Sequence, residues 1–87
     1  MRLAIIALLA CTYFFSAAAL PAPAIDQFPT EVDAAKHCPN DTVVWLNLPT
    51  MVWHIKGQRW YGNTKHGAYV CAKEAAAGGA RATRNGE

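Results

Sequence analysis

Residues 38–55 read CPNDTVVWLNLPTMVWHI, and this stretch predicts the β-hairpin around which the chain folds. It opens with turn chemistry, because proline fixes its own φ while asparagine and aspartate bond the nearby backbone. Thr42–Leu46 is rich in β-branched and aromatic residues, which predicts a strand. Residues 47–50 break that strand, and Met51–Ile55 predicts a second one, antiparallel to the first. Alternation along the second strand places Met51, Trp53 and Ile55 on one face, with Val52 and His54 on the other.

The second half of the chain predicts one more strand and a helix. Arg59–Gly67 is a loop with turn signals at its glycines. Ala68–Cys71 is a short third strand or the approach to a helix. Ala72–Ala77 is a helix of about two turns, rich in the strongest helix former, and Gly78-Gly79 can end it in left-handed geometry. The predicted fold class is a small α+β domain: a β-hairpin, a short third strand and one short C-terminal helix, stapled by a disulfide.

The domain itself is predicted at residues 38–81. Residues 25–37 are a loose N-terminal lead-in, in which Thr30–Lys36 can form a helical turn, and residues 82–87 are a flexible tail. Large aromatic side chains bury about 150–250 Å² each. We therefore expect aromatic residues to supply most of the core: Trp45, Trp53, Trp60, Tyr61 and Tyr69.

Residues 1–24 have the organisation of a secretory signal peptide. A basic start at Met1-Arg2 is followed by an almost entirely apolar run, Leu3–Phe15, and then by small residues. The apolar run is shorter than the roughly 20 residues that span a bilayer. The protein is therefore predicted to be exported, and a membrane anchor that stays attached is the alternative.

Several processing sites fit this leader. Ala22-Pro23-Ala24 matches the A-x-A cleavage pattern, so that cleavage between Ala24 and Ile25 would make Ile25 the new N-terminus. Cleavage after Ala18 or Ala19 is the alternative. Leu8–Cys11 also resembles a bacterial lipoprotein box, in which Cys11 would be the lipidated residue and the protein would be anchored in the envelope.

Cys38 and Cys71 are the two cysteines that remain after cleavage. An even pair in an exported protein indicates a disulfide, and two cysteines leave a single pairing. The bond would close a loop of roughly 34 residues and stabilise the fold by about 3–4 kcal/mol in the chain-entropy model. That is a large share of the about 5–15 kcal/mol by which native proteins are stable. Two free thiols, or half of a metal site, are the other interpretations.

The residues give little support for catalysis or metal binding. Serine occurs once, at Ser16 in the leader, which excludes a Ser-His-Asp arrangement from the processed protein. An oxidised cysteine is no nucleophile, and the acidic residues are scattered. No His-x-His or His-x3-His spacing occurs, so we interpret His37 as a surface residue, His54 as a strand residue bonded to backbone, and His66 as a loop residue. We predict no enzyme activity, no catalytic residue, no metal and no cofactor.

Cations and aromatic rings gather in one segment. Overall charge argues for no particular partner, since loss of Arg2 leaves seven basic and six acidic side chains, a net charge of +1. Basic-aromatic surfaces bind single-stranded nucleic acid, anionic glycans or lipid headgroups. An exported protein meets the last two more often, so we expect no nucleic acid, and membrane contact only with a lipidated Cys11. The predicted binding surface comprises Lys56, Arg59, Trp60, Tyr61, Lys65 and His66, with Tyr69 and Arg81 further along the chain. The alternative is that the aromatics are core and the cations keep the protein soluble.

Three stretches resemble a group of uncharacterised small exported bacterial proteins: CPNDTVVWLN at 38–47, HIKGQRWYGNTKHGAYVC at 54–71 and AKEAAAGGAR at 72–81. The shared features are a Cys-Pro start, His-x-x-Gly, a Trp-Tyr-Gly-Asn-Thr-Lys loop, Gly-x-Tyr-x-Cys and an alanine-rich helix. More distantly, the stretches are similar to C-terminal modules of nuclease-like proteins and to the metal-binding module of a bacterial alkylation-repair protein.

The chain departs from those relatives where they bind zinc. In them a cysteine commonly follows the His-x-x-Gly element, and further cysteines follow a Gly-Tyr-Arg element. Here Gln58 stands where the first of those cysteines would be. Ala80 replaces the tyrosine of the Gly-Tyr-Arg element, and Thr83 stands where a further cysteine could be. Structural zinc needs about four nitrogen or sulfur ligands. The resemblance therefore implies the shape, with a disulfide in place of the metal, and it implies neither DNA repair nor nuclease activity.

Together these observations predict a non-enzymatic, periplasmic or secreted bacterial module. We expect its basic-aromatic loop to interact with a protein or an envelope polymer. The alternative is a metal-handling or nuclease-accessory module of the same fold, and a stoichiometric metal in the purified protein would favour it.

Overall fold

The structure is a computed structural model that describes residues 21–87. Most of the predicted leader, with Cys11 and the cleavage alternatives at Ala18 and Ala19, lies outside the described residues. The elements in chain order are α1 (Glu31–His37), β1 (Val43–Asn47), β2 (Val52–His54), β3 (Gly67–Cys71), α2 (Ala72–Ala77) and β4 (Arg81–Ala82). In the described part, neither helix has the length and apolar character to cross a membrane.

Strand β1 is central in a four-stranded sheet of order β3-β1-β2-β4. It pairs antiparallel with β2 on one side and with β3 on the other, so that Trp45 lies between His54 and Tyr69. Strand β4 pairs parallel to β2. The predicted small α+β class, with its hairpin, third strand and α2, is confirmed. The fourth strand and the parallel pairing are additions to it.

The end of the chain packs back onto the sheet. The backbone N–H of Arg81 donates to the carbonyl of Met51, and that of Thr83 donates to Trp53, each at 3.0 Å. Trp60 N–H then donates to the carbonyl of Glu87, also at 3.0 Å. Residues 82–87, expected to form a flexible tail, thus run from β4 to the loop that follows β2.

The core is aliphatic, and the prediction of an aromatic core is wrong. Of the five aromatics expected there, Trp45 alone is buried, and Trp53 packs against the core from its edge. The reason is the face that each side chain occupies. Small alanines of and after α2 pack on the side of the sheet opposite to Trp45, whereas Tyr69 and Tyr61 lie on the Trp45 side. The buried cluster comprises Val44, Leu46, Ala68, Val70, Ala75 and Ala80.

Helix α1 occupies the segment expected as a loose lead-in. Thr30 caps its N-terminus, because its Oγ1 accepts a hydrogen bond from Asp33 N–H at 3.1 Å. Ala34 is fully buried, and Phe28 pairs with Tyr69 in an isolated antiparallel bridge. The helical turn predicted at Thr30–Lys36 is therefore part of a helix that packs on the domain.

Helix α2 begins and ends where its sequence predicts. Asp41 supports its start, because Oδ2 accepts a hydrogen bond from Lys73 N–H at 2.8 Å. At its end, Gly79 has a φ of +97°, which suits glycine. Its N–H donates to Ala76, and the next N–H, of Ala80, donates to Ala75. These two bonds form a Schellman motif.

A disulfide joins Cys38 to Cys71, as predicted, with 6.2 Å between the Cα atoms. Cys38 caps the end of α1, and Cys71 ends β3 where α2 begins. The bond therefore ties the N-terminal helix to the junction of the third strand and the second helix. Disulfides are typical of compartments outside the reducing cytoplasm.

Candidate functional site

A groove of about 570 Å³ lies on the face of the sheet opposite to the aliphatic core. Ligand sites commonly have volumes of about 300–1,000 Å³. Val52 and His54 of β2 form part of its surface. The loop at residues 60–65 and the chain end at residues 81–87 supply much of the rest. The groove exists because the chain end returns to that loop.

Trp45 holds the loop in position. Its indole Nε1 donates to Thr64 Oγ1 at 2.8 Å, and its ring meets Tyr69 edge-on with 4.9 Å between centroids. Tyr69 in turn meets Tyr61 with 5.6 Å between centroids. Gly67 leaves room for this arrangement, because a Cβ there would overlap the Trp45 indole. Three aromatic rings thus support the loop instead of filling the core.

His54 is the most unusual residue of the groove. Its side chain is only 7% exposed, and its Nδ1 is buried without a hydrogen-bond partner among residues 21–87. The interpretation of His54 as bonded to backbone is therefore wrong for Nδ1. Alternation did place His54 beside Val52, opposite to Trp53, and both line the groove. An unpaired buried polar atom costs free energy, so His54 is retained here at some cost to stability.

The groove carries more positive than negative charge. Lys65 and Arg81 are exposed on its walls, and Glu87 is its one acidic lining residue within the described range. Asn63 and Asn85 add amide groups that both donate and accept hydrogen bonds. The arrangement can bind an anionic group that also presents hydroxyls or amides.

Trp60 provides a half-buried ring in the groove. Its backbone is fixed by the bond to Glu87, and the Arg59 guanidinium lies 4.7 Å from its ring centroid. That distance is within the range of a cation–π contact. Arg59 is therefore positioned by Trp60 at the border of the groove, although it is not itself a lining residue.

Two residues of the predicted surface lie against α1 instead. The Lys56 ammonium is 3.0 Å from Glu31 Oε1. The Tyr61 hydroxyl is buried, with no hydrogen bond of acceptable geometry in the described part of the chain. Burial, followed by the negative charge of Glu31, raises the pKa of Tyr61 to about 12. These two side chains connect the loop to the N-terminal helix.

The structure thus divides the predicted binding surface. Trp60 and Lys65 line the groove, Arg59 stacks on Trp60, and Lys56 and Tyr61 contact α1. His66 is exposed outside the groove, and its carbonyl accepts a hydrogen bond from the N–H of Leu48 at 2.9 Å. Sequence reasoning missed His54 as a site residue, along with Asn85 and Glu87 in the supposed tail. Strand alternation was the one signal that pointed to His54.

The groove has few groups that bind metal. His54 offers one imidazole and Glu87 one carboxylate, whereas structural zinc takes about four ligands. The amides, the two cations and the indole ring are better suited to an organic anion. The groove is therefore a candidate for recognition rather than for metal chemistry.

Comparison of the chain with protein-family models, with curated proteins and with solved structures finds no match. The functional assignment therefore depends on the chemistry of the groove.

Proposed function

We propose that this protein is a non-enzymatic binding module, periplasmic or secreted, that holds an anionic glycan of the bacterial envelope in the groove around His54. The observation that supports it most is the groove itself, in which the exposed cations of Lys65 and Arg81 line the same cavity as the half-buried ring of Trp60. His54 lines the same groove and keeps an unpaired buried nitrogen at a cost to stability. The disulfide supports the location outside the cytoplasm.

Each part of the groove has a counterpart in an acidic sugar polymer. Lys65 and Arg81 suit carboxylate or phosphate groups, because charge-assisted hydrogen bonds are stronger than neutral ones. Asn63 and Asn85 suit hydroxyls, which also donate and accept. Trp60 offers a flat apolar surface to the face of a sugar ring. The groove is open to solvent, so that a polymer can enter and leave it.

The test is a titration of the purified, oxidised protein with polygalacturonate, followed by tryptophan fluorescence. We expect saturable binding that weakens with salt, because paired charges are screened. Neutral dextran of similar length is the control ligand and should not bind. A single-stranded oligodeoxynucleotide of equal charge should bind more weakly, and a preference for it would overturn the choice of glycan.

Charge-reversal variants test whether the glycan contacts the basic wall of the groove. Lys65→Glu and Arg81→Glu should each weaken polygalacturonate binding at least severalfold, because each places a negative charge on the wall. Lys36→Glu is the matched control, since Lys36 is equally exposed but lies on α1 outside the groove. Equal losses in all three variants would mean that only net charge matters, and the groove would no longer be the site.

A further inference from the structure

A second cluster of side chains surrounds the disulfide, away from the groove. Ligand-type atoms of His37, Cys71 and Glu74 all lie within 4.8 Å of one another. Cys38 lies beside the cluster, because its Sγ is bonded to Cys71 Sγ. The cluster and Cys38 together offer an imidazole, a carboxylate and two sulfurs, although the sulfurs are bonded to each other.

His37 Nε2 already lies where negative charge converges. It is 2.7 Å from Glu74 Oε2 and 3.1 Å from Asp26 Oδ2. The ring is held from the side by Phe28, with 5.0 Å between ring centroids. The side chains of His37 and Glu74 are 33% and 36% exposed, whereas Cys71 is fully buried. A cation at this point would have solvent access on one side and protein on the other.

We propose that reduction of the Cys38–Cys71 disulfide converts this cluster into a binding site for Zn²⁺ or a similar thiolate-preferring divalent cation, with Cys38 Sγ, Cys71 Sγ, His37 Nε2 and Glu74 Oε2 as the four ligands. Zinc accepts sulfur, nitrogen and oxygen ligands in tetrahedral sites. Neighbouring ligands of such a site lie about 3.3–3.8 Å apart, given Zn–S of about 2.3 Å and Zn–N of about 2.0–2.1 Å. The clustered atoms of His37, Cys71 and Glu74 lie within 4.8 Å of one another, and reduction frees Cys38 Sγ to move apart from Cys71 Sγ.

The chemistry balances with a dithiol as the reductant. The protein disulfide takes two electrons and two protons from the dithiol, which becomes a disulfide itself, and the S–S bond of Cys38 and Cys71 breaks. The cation then replaces the two thiol protons, which pass to solvent, and it accepts the lone pair of His37 Nε2. While the S–S bond is intact, neither sulfur is a thiolate and the site lacks half of its ligands.

Such a site gives the protein two ways to hold the same junction. In the oxidised state a covalent bond ties α1 to the start of α2, and in the reduced state the cation would do so. The proposal is independent of the groove, because none of its four ligands lines the groove. Each can therefore fail without the other.

The test uses Co²⁺ as a spectroscopic probe of the purified protein. In the oxidised form we expect no thiolate-to-cobalt charge-transfer band. After reduction with a non-chelating phosphine we expect one equivalent of Co²⁺ to bind with that band and with the visible spectrum of tetrahedral cobalt, and one equivalent of Zn²⁺ to displace it. No band on reduction would overturn the proposal, as would an octahedral spectrum.

Variants separate this site from metal binding by an unfolded chain. His37→Ala and Glu74→Gln should each lower the Co²⁺ affinity of the reduced protein by about tenfold or more. The matched controls are His66→Ala and Asp33→Asn, which remove an exposed histidine and an exposed carboxylate outside the cluster. The proposal is overturned if the controls lose as much affinity as the two cluster variants. It is also overturned if circular dichroism shows that the reduced, Co²⁺-bound protein stays unfolded.

Discussion

Gly67 lies against the indole ring of Trp45, so close that no side chain fits between them. The two residues belong to neighbouring antiparallel strands, β3 and β1. From this position the Trp45 indole reaches Thr64, and the loop that borders the groove is fixed to the sheet. The smallest residue of β3 thus determines where the binding loop lies.

We therefore expect Gly67→Ala to lower the free energy of unfolding by about 1–3 kcal/mol, since overpacking forces the ring to move. Urea denaturation followed by fluorescence measures it. Trp45→Leu should relieve the overlap, so that the double variant loses less stability than the sum of the single variants. Strict additivity of the two losses would contradict the described contact.

The disulfide is expected to carry a large part of the stability. A Cys38→Ala/Cys71→Ala double variant should lose about 3–4 kcal/mol of unfolding free energy relative to the oxidised protein. Urea denaturation of both proteins under non-reducing conditions is the measurement. A loss below about 1 kcal/mol would show that packing alone holds α1 to the sheet.

The raised pKa of Tyr61 predicts that the free energy of unfolding falls at high pH. Its pKa is raised from 10.0 to about 12 in the folded protein, so the folded state holds the phenol proton more tightly than the unfolded state does. This contribution to stability is fully present below pH 10.0 and is lost as the pH rises through about 12. A Tyr61→Phe variant should therefore lose less stability than the parent over that window, as measured by urea denaturation at a series of pH values.

The same variant has a spectroscopic readout. Tyrosinate absorbance of the parent should include a component that titrates near pH 12, and Tyr61→Phe should abolish it. Tyr69→Phe is the control, since it leaves Tyr61 in place. A late component that survives in Tyr61→Phe would contradict the assignment.

His54→Phe separates stability from binding. Phenylalanine keeps a flat ring, somewhat larger than the imidazole, and removes the unpaired buried nitrogen, so we expect the free energy of unfolding to change by no more than about 1 kcal/mol. Polygalacturonate binding should weaken, because an apolar ring replaces the imidazole that lines the groove. His66→Phe should leave both quantities unchanged. A His54→Phe variant that is less stable yet binds normally would show that His54 is a structural residue.

The elements with strong local signals could be predicted from the sequence. Alanines followed by two glycines predict α2, and the β-branched and aromatic residues at positions 43–45 predict β1. Strand β4 has no such signal, because its two residues become a strand only by pairing with β2, which is distant in the chain. The chain end therefore resembled a tail in the sequence.

The site was also hard to predict, because it too is formed by segments that are distant in the chain. Alternation put His54 on the correct face, but only the returning chain end makes that face a groove. The core differs from the prediction because large aromatics were expected there for the area that they bury. Instead, the small residues Ala68, Ala75 and Ala80 are buried where elements pack closely. Likewise, His37 and Glu74 are far apart in the sequence, and their approach depends on the disulfide between the adjacent segments.

The most direct test of the account is an NMR titration of the ¹⁵N-labelled, oxidised protein with polygalacturonate. We predict that the largest shifts occur at the Trp60 indole N–H, at the His54 imidazole and at the Asn63 and Asn85 amides, with little change on α1 and α2. In the Lys65→Glu variant, the chemical-shift changes should be smaller at each polygalacturonate concentration. Chemical-shift changes confined to the helices would contradict the claim that this groove binds an anionic glycan. The absence of any change with polygalacturonate, as with dextran, would contradict it as well.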